Sequence, residues 1–434
     1  MPIKKRLEIL SLGDEFLLGL RDNAHLSYIG RELARKGLSI ARDQELRDNA
    51  EEIRRHFLET WERADIVITV GGLGPTADDL TREAISGALN LKLVPSAEAE
   101  EAVRALIGRG GRAVNKAHLK QCLVPEGAEV LPNALGTAPG IWLEKDGRIL
   151  VMLPGAAHEM RPMFMNQVLP RLAARDIALI NDAFLQLRAV GITESEITQL
   201  LAPVFAPLHS RISVGYGCSS TGIVDVRIGA DEGGATWEEI EKLGESCREL
   251  LGANFLGFGD VTLAEVVIRH LRSREMTVSV AESCTGGLLS SAFADIPGAS
   301  KVFRGGVVCY NNDVKTELLD VPEALLVQHG AVSAETAVAM AAGAQEKLDS
   351  DYALSVTGYA GPEGGGTGSP VGTVFLGLAT PEGVWSRKVF LEGARTNVRE
   401  RAVLLALDWM RRRLKNFASE PVLPEKSRNT IKVG

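Results

Sequence analysis

The stretch Thr277-Val278-Ser279-Val280-Ala281-Glu282-Ser283-Cys284-Thr285-Gly286-Gly287 decides how this chain is read. Alternating apolar residues give way to a hydroxyl, a thiol, a second hydroxyl and two glycines, and Leu288-Leu289 opens an apolar segment beyond them. That order predicts a strand running through a turn into a helix. The first N–H groups of a helix have no intrahelical partner and point outward, so a side-chain oxygen here stands beside ready-made donors for an anion. An attacking group and an oxyanion site then coincide. The plainer reading is that Ser283 or Thr285 only caps the helix, and the pattern by itself allows both.

The surrounding sequence reads as one α/β domain over about residues 260–415. Thr262-Leu263-Ala264-Glu265 is a capping box, and Leu263, Val266, Val267 and Leu271 share one face of the helix it opens. The run from Phe303 reads as a strand that delivers Tyr310 and Lys315 beyond its end. Ser333 caps a helix that runs to Lys347, and residues 352–356 form a strand entering the glycine-rich loop of residues 357–366. Two further strands, residues 373–379 and 385–391, precede a long helix over residues 396–415. Beyond it the aperiodic, Pro-, Lys- and Glu-rich segment 416–434 is expected to be a flexible tail. A serine hydroxyl attacks only when a base takes its proton, and no histidine motif lies near Ser283. Lysine is the substitute, provided that burial or nearby positive charge lowers its pKa from about 10.4. Cys284 is the rival nucleophile, since a helix start can lower a thiol pKa.

The first part of the chain, residues 1–170, alternates strand and helix. Residues 7–12 and Ile66–Val70 read as strands, and residues 26–36, 51–61 and 81–89 as helices. Such alternation implies a mainly parallel sheet covered on both faces, with its site at the carboxyl ends of the strands. There the chain reads Gly71-Gly72-Leu73-Gly74-Pro75-Thr76-Ala77-Asp78-Asp79-Leu80-Thr81. Glycines let backbone N–H groups approach phosphates closely, and Asp78 with Asp79 suits a divalent cation beside them. Asp79 reads equally well as a helix N-cap. The spacing is neither that of a P-loop nor that of a Rossmann fingerprint.

Between these parts lies a small α/β module over residues 181–258. Phe184–Val190 and residues 211–216 and 223–228 read as strands, Thr193-Glu194-Ser195-Glu196 as a capping box, and Trp237–Leu251 as an amphipathic helix. A module of this size suits domain packing or a dimer interface. An RNA-binding KH-like reading needs a G-x-x-G loop with basic neighbours, and the acidic Asp231-Glu232 does not supply one.

Composition narrows the partners. A net charge of −8 and a pI near 5.6 argue against a general nucleic-acid coat. Arg411-Arg412-Arg413 is a basic run, but at a helix end it complements the dipole. Five scattered cysteines, with no C-x-x-C pair, suggest neither a disulfide framework nor a cysteine zinc site. No apolar run reaches the roughly 18 residues of a membrane span, so the expectation is a cytoplasmic protein acting on small molecules.

Residues 71–83, Gly136-Thr137-Ala138-Pro139-Gly140, and Leu153-Pro154-Gly155 with Glu159-Met160 closely resemble the N-terminal domain of the CinA (competence/damage-inducible protein A) family. Residues 281–287, Arg304-Gly305-Gly306-Val307-Val308 with Tyr310 and Lys315, Gly330-Ala331-Val332-Ser333, and the segment from Thr357-Gly358 to Val374 resemble its C-terminal domain. The chain departs from the family at Ala156-Ala157, where prolines are usual, and at residues 21–25. The resemblance implies a molybdopterin-binding-like fold, then the small α/β module, then a three-layer α/β domain. It implies hydrolysis of ADP-ribose to AMP and ribose 5-phosphate in the first domain, with a divalent metal at Asp78 and Asp79. Gly71, Gly72, Gly74, Thr76, Pro154 and Gly155 would hold the nucleotide. It implies deamidation of nicotinamide mononucleotide in the last domain, without a cofactor, through Ser283 and Lys315 with Tyr310 as proton relay or orienter. On that reading the N–H groups near Gly286 and Gly287 stabilise the oxyanion and Thr285 takes the helix cap. Thr357, Gly358 and the glycines after them line the nucleotide site, and Arg395 and Arg399 bind its phosphate. The family also suggests a homodimer. Two other classes stand beside this one: a protein that holds a pterin or nucleotide without turning it over, and a DNA-uptake partner.

Overall fold

The structure is a computed structural model, which describes residues 5–109, 113–178, 183–230, 234–365, 369–415 and 430–432. The chain divides into two units, Met1–Ala183 and Phe184–Gly434.

In the first unit the strands lie in the order Ile40–Leu46, Leu7–Leu12, Ile66–Val70, Arg148–Leu153, Gly140–Lys145, Glu129–Leu131. The first four are parallel, and Gly140–Lys145 pairs antiparallel with Arg148–Leu153 on one side and Glu129–Leu131 on the other. Every residue of Leu7–Leu12 and of Ile66–Val70 is buried, as expected of strands covered on both faces. Leu7 and Ile9 join one core with helix Ala24–Arg35, while Leu10 and Leu12 join another with Ala50–Arg63 and Thr81–Ala88. The parallel ends bring residues 13–15, 47–48, 71–74 and 154–155 to one edge of the sheet.

The second unit contains two sheets. A four-stranded antiparallel sheet, ordered Ile212–Cys218, Ile223–Ala230, Phe184–Val190, Phe255–Phe258, packs against helices Glu194–Phe205 and Trp237–Leu251. Its fourth strand is short and irregular around Leu256, between Phe255 and Gly257, which left no alternating pattern to find in the sequence. The other sheet is ordered Phe303–Val308, Val278–Glu282, Tyr352–Gly358, Thr373–Thr380, Gly383–Phe390, Thr430–Lys432, with the first three strands parallel. Helices Leu263–Arg272 and Arg395–Leu414 pack on one face, and Asn312–Leu319 with Ala334–Lys347 on the other, giving three layers. Both units are thus α/β, and the first sheet is mainly parallel.

Two expectations need correction. Within the segment expected to be a flexible tail, Thr430–Lys432 pairs with Trp385, Ser386 and Arg387, because Gly383–Phe390 otherwise offers an unpaired edge. Residues 416–429 and 433–434 lie outside the described residues. Nor do Arg411 and Arg412 merely complement a helix dipole. Both are buried on the fully buried Asp408 carboxylate, with Arg411 Nε 2.8 Å from Oδ1 and Arg412 Nε 2.7 Å from Oδ2. Arg411 also reaches the carbonyls of Ala253 and Phe255, and Arg412 reaches Asn254 Oδ1. The last helix therefore locks the middle module into the second unit, and two cations of the basic run are withdrawn from any nucleic-acid surface.

Candidate active site

The turn after Val278–Glu282 is organised by the residue before Ser283. Helix Leu288–Ala294 has Gly287 as its N-cap, with φ 99°, and hence no capping side chain of its own. The fully buried Glu282 supplies the missing acceptor. Its carboxylate takes the N–H of Gly287 at 3.0 Å, of Leu289 at 2.9 Å and of Ser290 at 2.7 Å, and the Ser290 hydroxyl at 2.6 Å. Charge-assisted bonds at a helix start are the arrangement that offsets burial of a carboxylate. This overturns the expected oxyanion site. The Gly287 N–H is spent on Glu282, and the Gly286 N–H donates to Ser283 O at 3.1 Å. Thr285 does not cap either, since its buried Oγ1 has no partner among the described residues. The turn's remaining donors are the N–H groups of Cys284 and Thr285, which bond no other residue among those described.

Lys315 sits on helix Asn312–Leu319, one turn before Leu319 and on the same buried face. It is 1% exposed. Its Nζ lies 2.8 Å from Cys309 O, 3.4 Å from Tyr310 O and 3.4 Å from Ser283 Oγ. No carboxylate pairs with it among the described residues, and burial pulls its pKa below the ordinary lysine value. In the neutral amine, two N–H bonds go to the two carbonyls and the lone pair is left for the Ser283 hydroxyl. Ser283 is half-buried and held through its own N–H on Val356 O at 2.9 Å. The rival thiol is disabled by burial, which pushes Cys284 up to about 12. Cys309 is likewise raised, to about 11.

The other expected residues divide. Tyr310 is brought to Lys315 by its backbone carbonyl, whereas its exposed hydroxyl accepts from Arg395 Nη2 at 2.7 Å. Arg395, itself exposed, also donates to Gly361 O. Arg399 is half-buried and donates to Cys284 O at 3.1 Å and to Thr285 O at 2.8 Å. The buried Thr357 hydroxyl is committed to Ala331 O at 2.7 Å, so it serves the fold of the loop rather than a ligand. At Gly358 a Cβ would sit 2.7 Å from Val374 Cγ2, so that glycine answers to strand packing. Of the glycine-rich loop, residues 366–368 lie outside the described residues.

At the edge of the first unit, Gly71 donates to Leu153 O at 3.0 Å, and a Cβ on Gly155 would stand 3.4 Å from Gly71 Cα. The loops of Gly71 and of buried Pro154 with exposed Gly155 are thus in close apposition, as a phosphate cradle requires. Gly72 has φ 66°, and a Cβ there would strike Thr81 Oγ1, so no other residue fits. Asp79 neither caps helix Thr81–Ala88 nor stands free. It accepts from Thr76 N at 2.9 Å and from Thr76 Oγ1, which closes the loop beside Gly74. Asp78 is exposed. The sequence reading missed Asp14 and Asp48, whose backbone N–H groups bond each other's carboxylates at 3.3 and 3.4 Å. Burial first, then the charges of Asp14, Glu15 and Asp78, raise Asp48 above the ordinary aspartate range. Such a surplus of negative charge fits a hard cation, although among the described residues no three His, Cys, Asp or Glu side chains already share one ion position. His25 was also missed. Its ring bonds the Gly155 backbone and is kept neutral chiefly by burial, and its Nδ1 has no partner among the described residues.

Comparison with known proteins identifies both domains. The model of the CinA C-terminal domain matches residues 260–414, and that of a "Probable molybdopterin binding domain" matches residues 8–174. A competence-damage inducible protein of Caldanaerobacter subterraneus is 40% identical over 94% of this chain and 98% of its own length. A CinA-like protein of Dictyoglomus thermophilum is 38% identical over 95% and 100%. The crystal structure of competence damage-inducible protein A from Klebsiella pneumoniae is 32% identical over 36% of this chain and 97% of its own, with a TM-score of 0.35. No helix among the described residues is long and apolar enough to cross a membrane. With relatives matched along nearly its whole length and both domain models in order, the chain belongs to the CinA family.

Proposed function

We propose that the second unit hydrolyses the carboxamide of nicotinamide mononucleotide to nicotinate mononucleotide and ammonia. The observation that carries this reading is Lys315, buried without a carboxylate and in contact with the Ser283 hydroxyl. Neutral Lys315 takes the Ser283 proton as Oγ bonds to the amide carbon, and the carbonyl π electrons move to oxygen. When the oxyanion collapses, the C–N bond breaks and the lysine proton leaves with nitrogen as ammonia. Water then adds to the acyl ester, giving one proton to Lys315. That proton returns to Ser283 Oγ as nicotinate mononucleotide departs. Arg395, exposed beside Tyr310, supplies charge for the phosphate.

For the first unit we infer hydrolysis of ADP-ribose to AMP and ribose 5-phosphate. The Gly71 and Gly155 loops would hold the phosphates. A divalent cation at the carboxylates of Asp14, Asp48 and Asp78 would neutralise their charge.

The test is ammonia release from nicotinamide mononucleotide by the full chain and by Ser283→Ala and Cys284→Ala, with ADP-ribose cleavage followed with and without chelator. Loss in the first variant and retention in the second is expected. A deamidase that survives without the Ser283 hydroxyl sinks the mechanism, and ADP-ribose cleavage indifferent to chelator sinks the cation.

A further inference from the structure

With Gly286 and Gly287 occupied, the oxyanion donors of this turn have to be found elsewhere, and the contacts of Arg399 indicate where. Its Nε and Nη2 hold the carbonyls of Cys284 and Thr285 at 3.1 and 2.8 Å. Among the described residues the only cis peptide is Gly361-Pro362, so the peptides of this turn are trans. In a trans peptide the C=O of one residue and the N–H of the next point to opposite sides. Fixing Cys284 O on the guanidinium therefore turns the Thr285 N–H away from it. The next N–H, that of Gly286, is returned to Ser283 O at 3.1 Å. Since Ser283 O is thereby fixed, the Cys284 N–H is turned to the side opposite that bond. A cation on a peptide oxygen also draws electron density from its nitrogen, which strengthens the N–H as a donor.

We propose that Arg399 is a positioning residue, which orients and polarises the Thr285 N–H, beside that of Cys284, as the oxyanion donor for Ser283. Glu282 holds the turn from the helix side through the Gly287, Leu289 and Ser290 N–H groups, and Arg399 holds it from the carbonyl side. The two together leave these two donors open. This rests on the Ser283 and Lys315 reading, but it assigns Arg399 to the turn and not to the substrate phosphate.

The experiment compares Arg399→Gln and Arg399→Lys with the wild type, at a temperature where circular dichroism shows all three folded. Substrates are nicotinamide mononucleotide and its dephosphorylated nucleoside, and a fluorophosphonate serves as a probe of Ser283 that needs no amide. Loss of an oriented donor is expected to lower kcat by about tenfold to a hundredfold. The loss should be the same for nucleotide and nucleoside, with KM and the acid limb of the pH profile unmoved and partial rescue in Arg399→Lys. Fluorophosphonate labelling should slow by a similar factor. A rise in KM confined to the phosphorylated substrate makes Arg399 a phosphate ligand and overturns the proposal. Labelling that is independent of Arg399 overturns it also. If the wild type releases no ammonia yet labelling still depends on Arg399, the substrate assignment fails and the positioning role stands.

Discussion

After Val70 the chain turns through Gly71-Gly72-Leu73-Gly74, and after Glu282 through Ser283-Cys284-Thr285-Gly286-Gly287. Both turns end fully buried parallel strands, and in both an arginine grips loop carbonyls. Arg82, 1% exposed, donates to Leu73 O at 2.7 Å and to Lys120 O at 3.0 Å, as Arg399 does to Cys284 and Thr285. What surrounds the two turns differs. The second faces a buried amine with no carboxylate partner among the described residues, so on the proposed mechanism the proton acceptor belongs to the fold. The first faces carboxylates that repel one another, and the amine beside it, Lys120, is held on the carbonyls of Thr76 and Asp79 at 3.1 and 2.6 Å. On the proposed reading, both strand ends serve an anion, and the charge placed opposite separates covalent proton-transfer chemistry from dependence on an added cation.

Lys315→Met gives the sharpest break in this contrast. Removing the base is expected to lower ammonia release by on the order of a thousandfold and to leave ADP-ribose cleavage unchanged. Stopped-time assays of both activities on one preparation check it. Residual deamidation within tenfold of wild type would remove Lys315 from the mechanism.

The converse change is Asp48→Asn, alone and with Asp78→Asn. Each removes charge from the cluster at the first unit's sheet edge, so the divalent-ion concentration giving half-maximal ADP-ribose cleavage should rise at least about tenfold. Deamidation should not change. A metal titration that superimposes on wild type would show that the cation, if needed, sits elsewhere.

Much of the last domain and the first strands and helices of the first were legible because buried parallel strands read as apolar runs and capping boxes are local, whereas Ile40–Leu46, Gly140–Lys145 and Arg148–Leu153 were not read as strands. Phe184–Val190, Trp237–Leu251 and the caps at Thr193, Thr262 and Ser333 appear where the sequence places them. Ser283 was legible for the same reason. The partners of the turn do not show in the local pattern: Lys315, 32 residues from Ser283, was paired with it only through the family resemblance, and Arg399, 115 residues from Cys284, was assigned to the substrate phosphate. One signal was available and unused. A helix whose N-cap is Gly287 needs an acceptor from elsewhere, and Glu282 is the nearest carboxylate. Likewise Lys315 shares a helical face with Leu319, which marks it as buried once residues 312–319 are seen as a helix instead of a loop. Asp79 was misread because an aspartate two residues before a helix can close its own loop, here on Thr76, as readily as it can bind a metal.

The pH dependence of the two activities should separate. Deamidation needs neutral Lys315, so kcat/KM rises with pH through a value that burial has moved below the usual lysine range. Cleavage of ADP-ribose needs ionised carboxylates, and it is lost as pH falls through the raised value of Asp48. The first limb therefore lies below the ordinary lysine range and the second above the ordinary aspartate range, each set by a different group. Coincident limbs in the two profiles would mean that one shared step, such as loss of the fold, governs both.

Stability offers the smallest effect and an independent check on the same lysine. The folded state lowers the Lys315 pKa and the unfolded chain restores it to about 10.4, so between those values the unfolded state binds the extra proton and stability rises with pH. Below the folded-state value the whole cost of burying the ammonium is present. Lys315→Met removes that cost and keeps the aliphatic bulk, so the variant should be the more stable protein at neutral pH, by on the order of 1 kcal/mol. Its advantage should shrink as pH climbs toward the unfolded lysine value, where the wild type has shed the proton in both states. Denaturant melts of the two proteins across that range measure the difference directly. A variant less stable than wild type at every pH would mean that the bonds to Cys309 and Tyr310 outweigh desolvation, in which case Lys315 is held as a charged strut and cannot serve as the base.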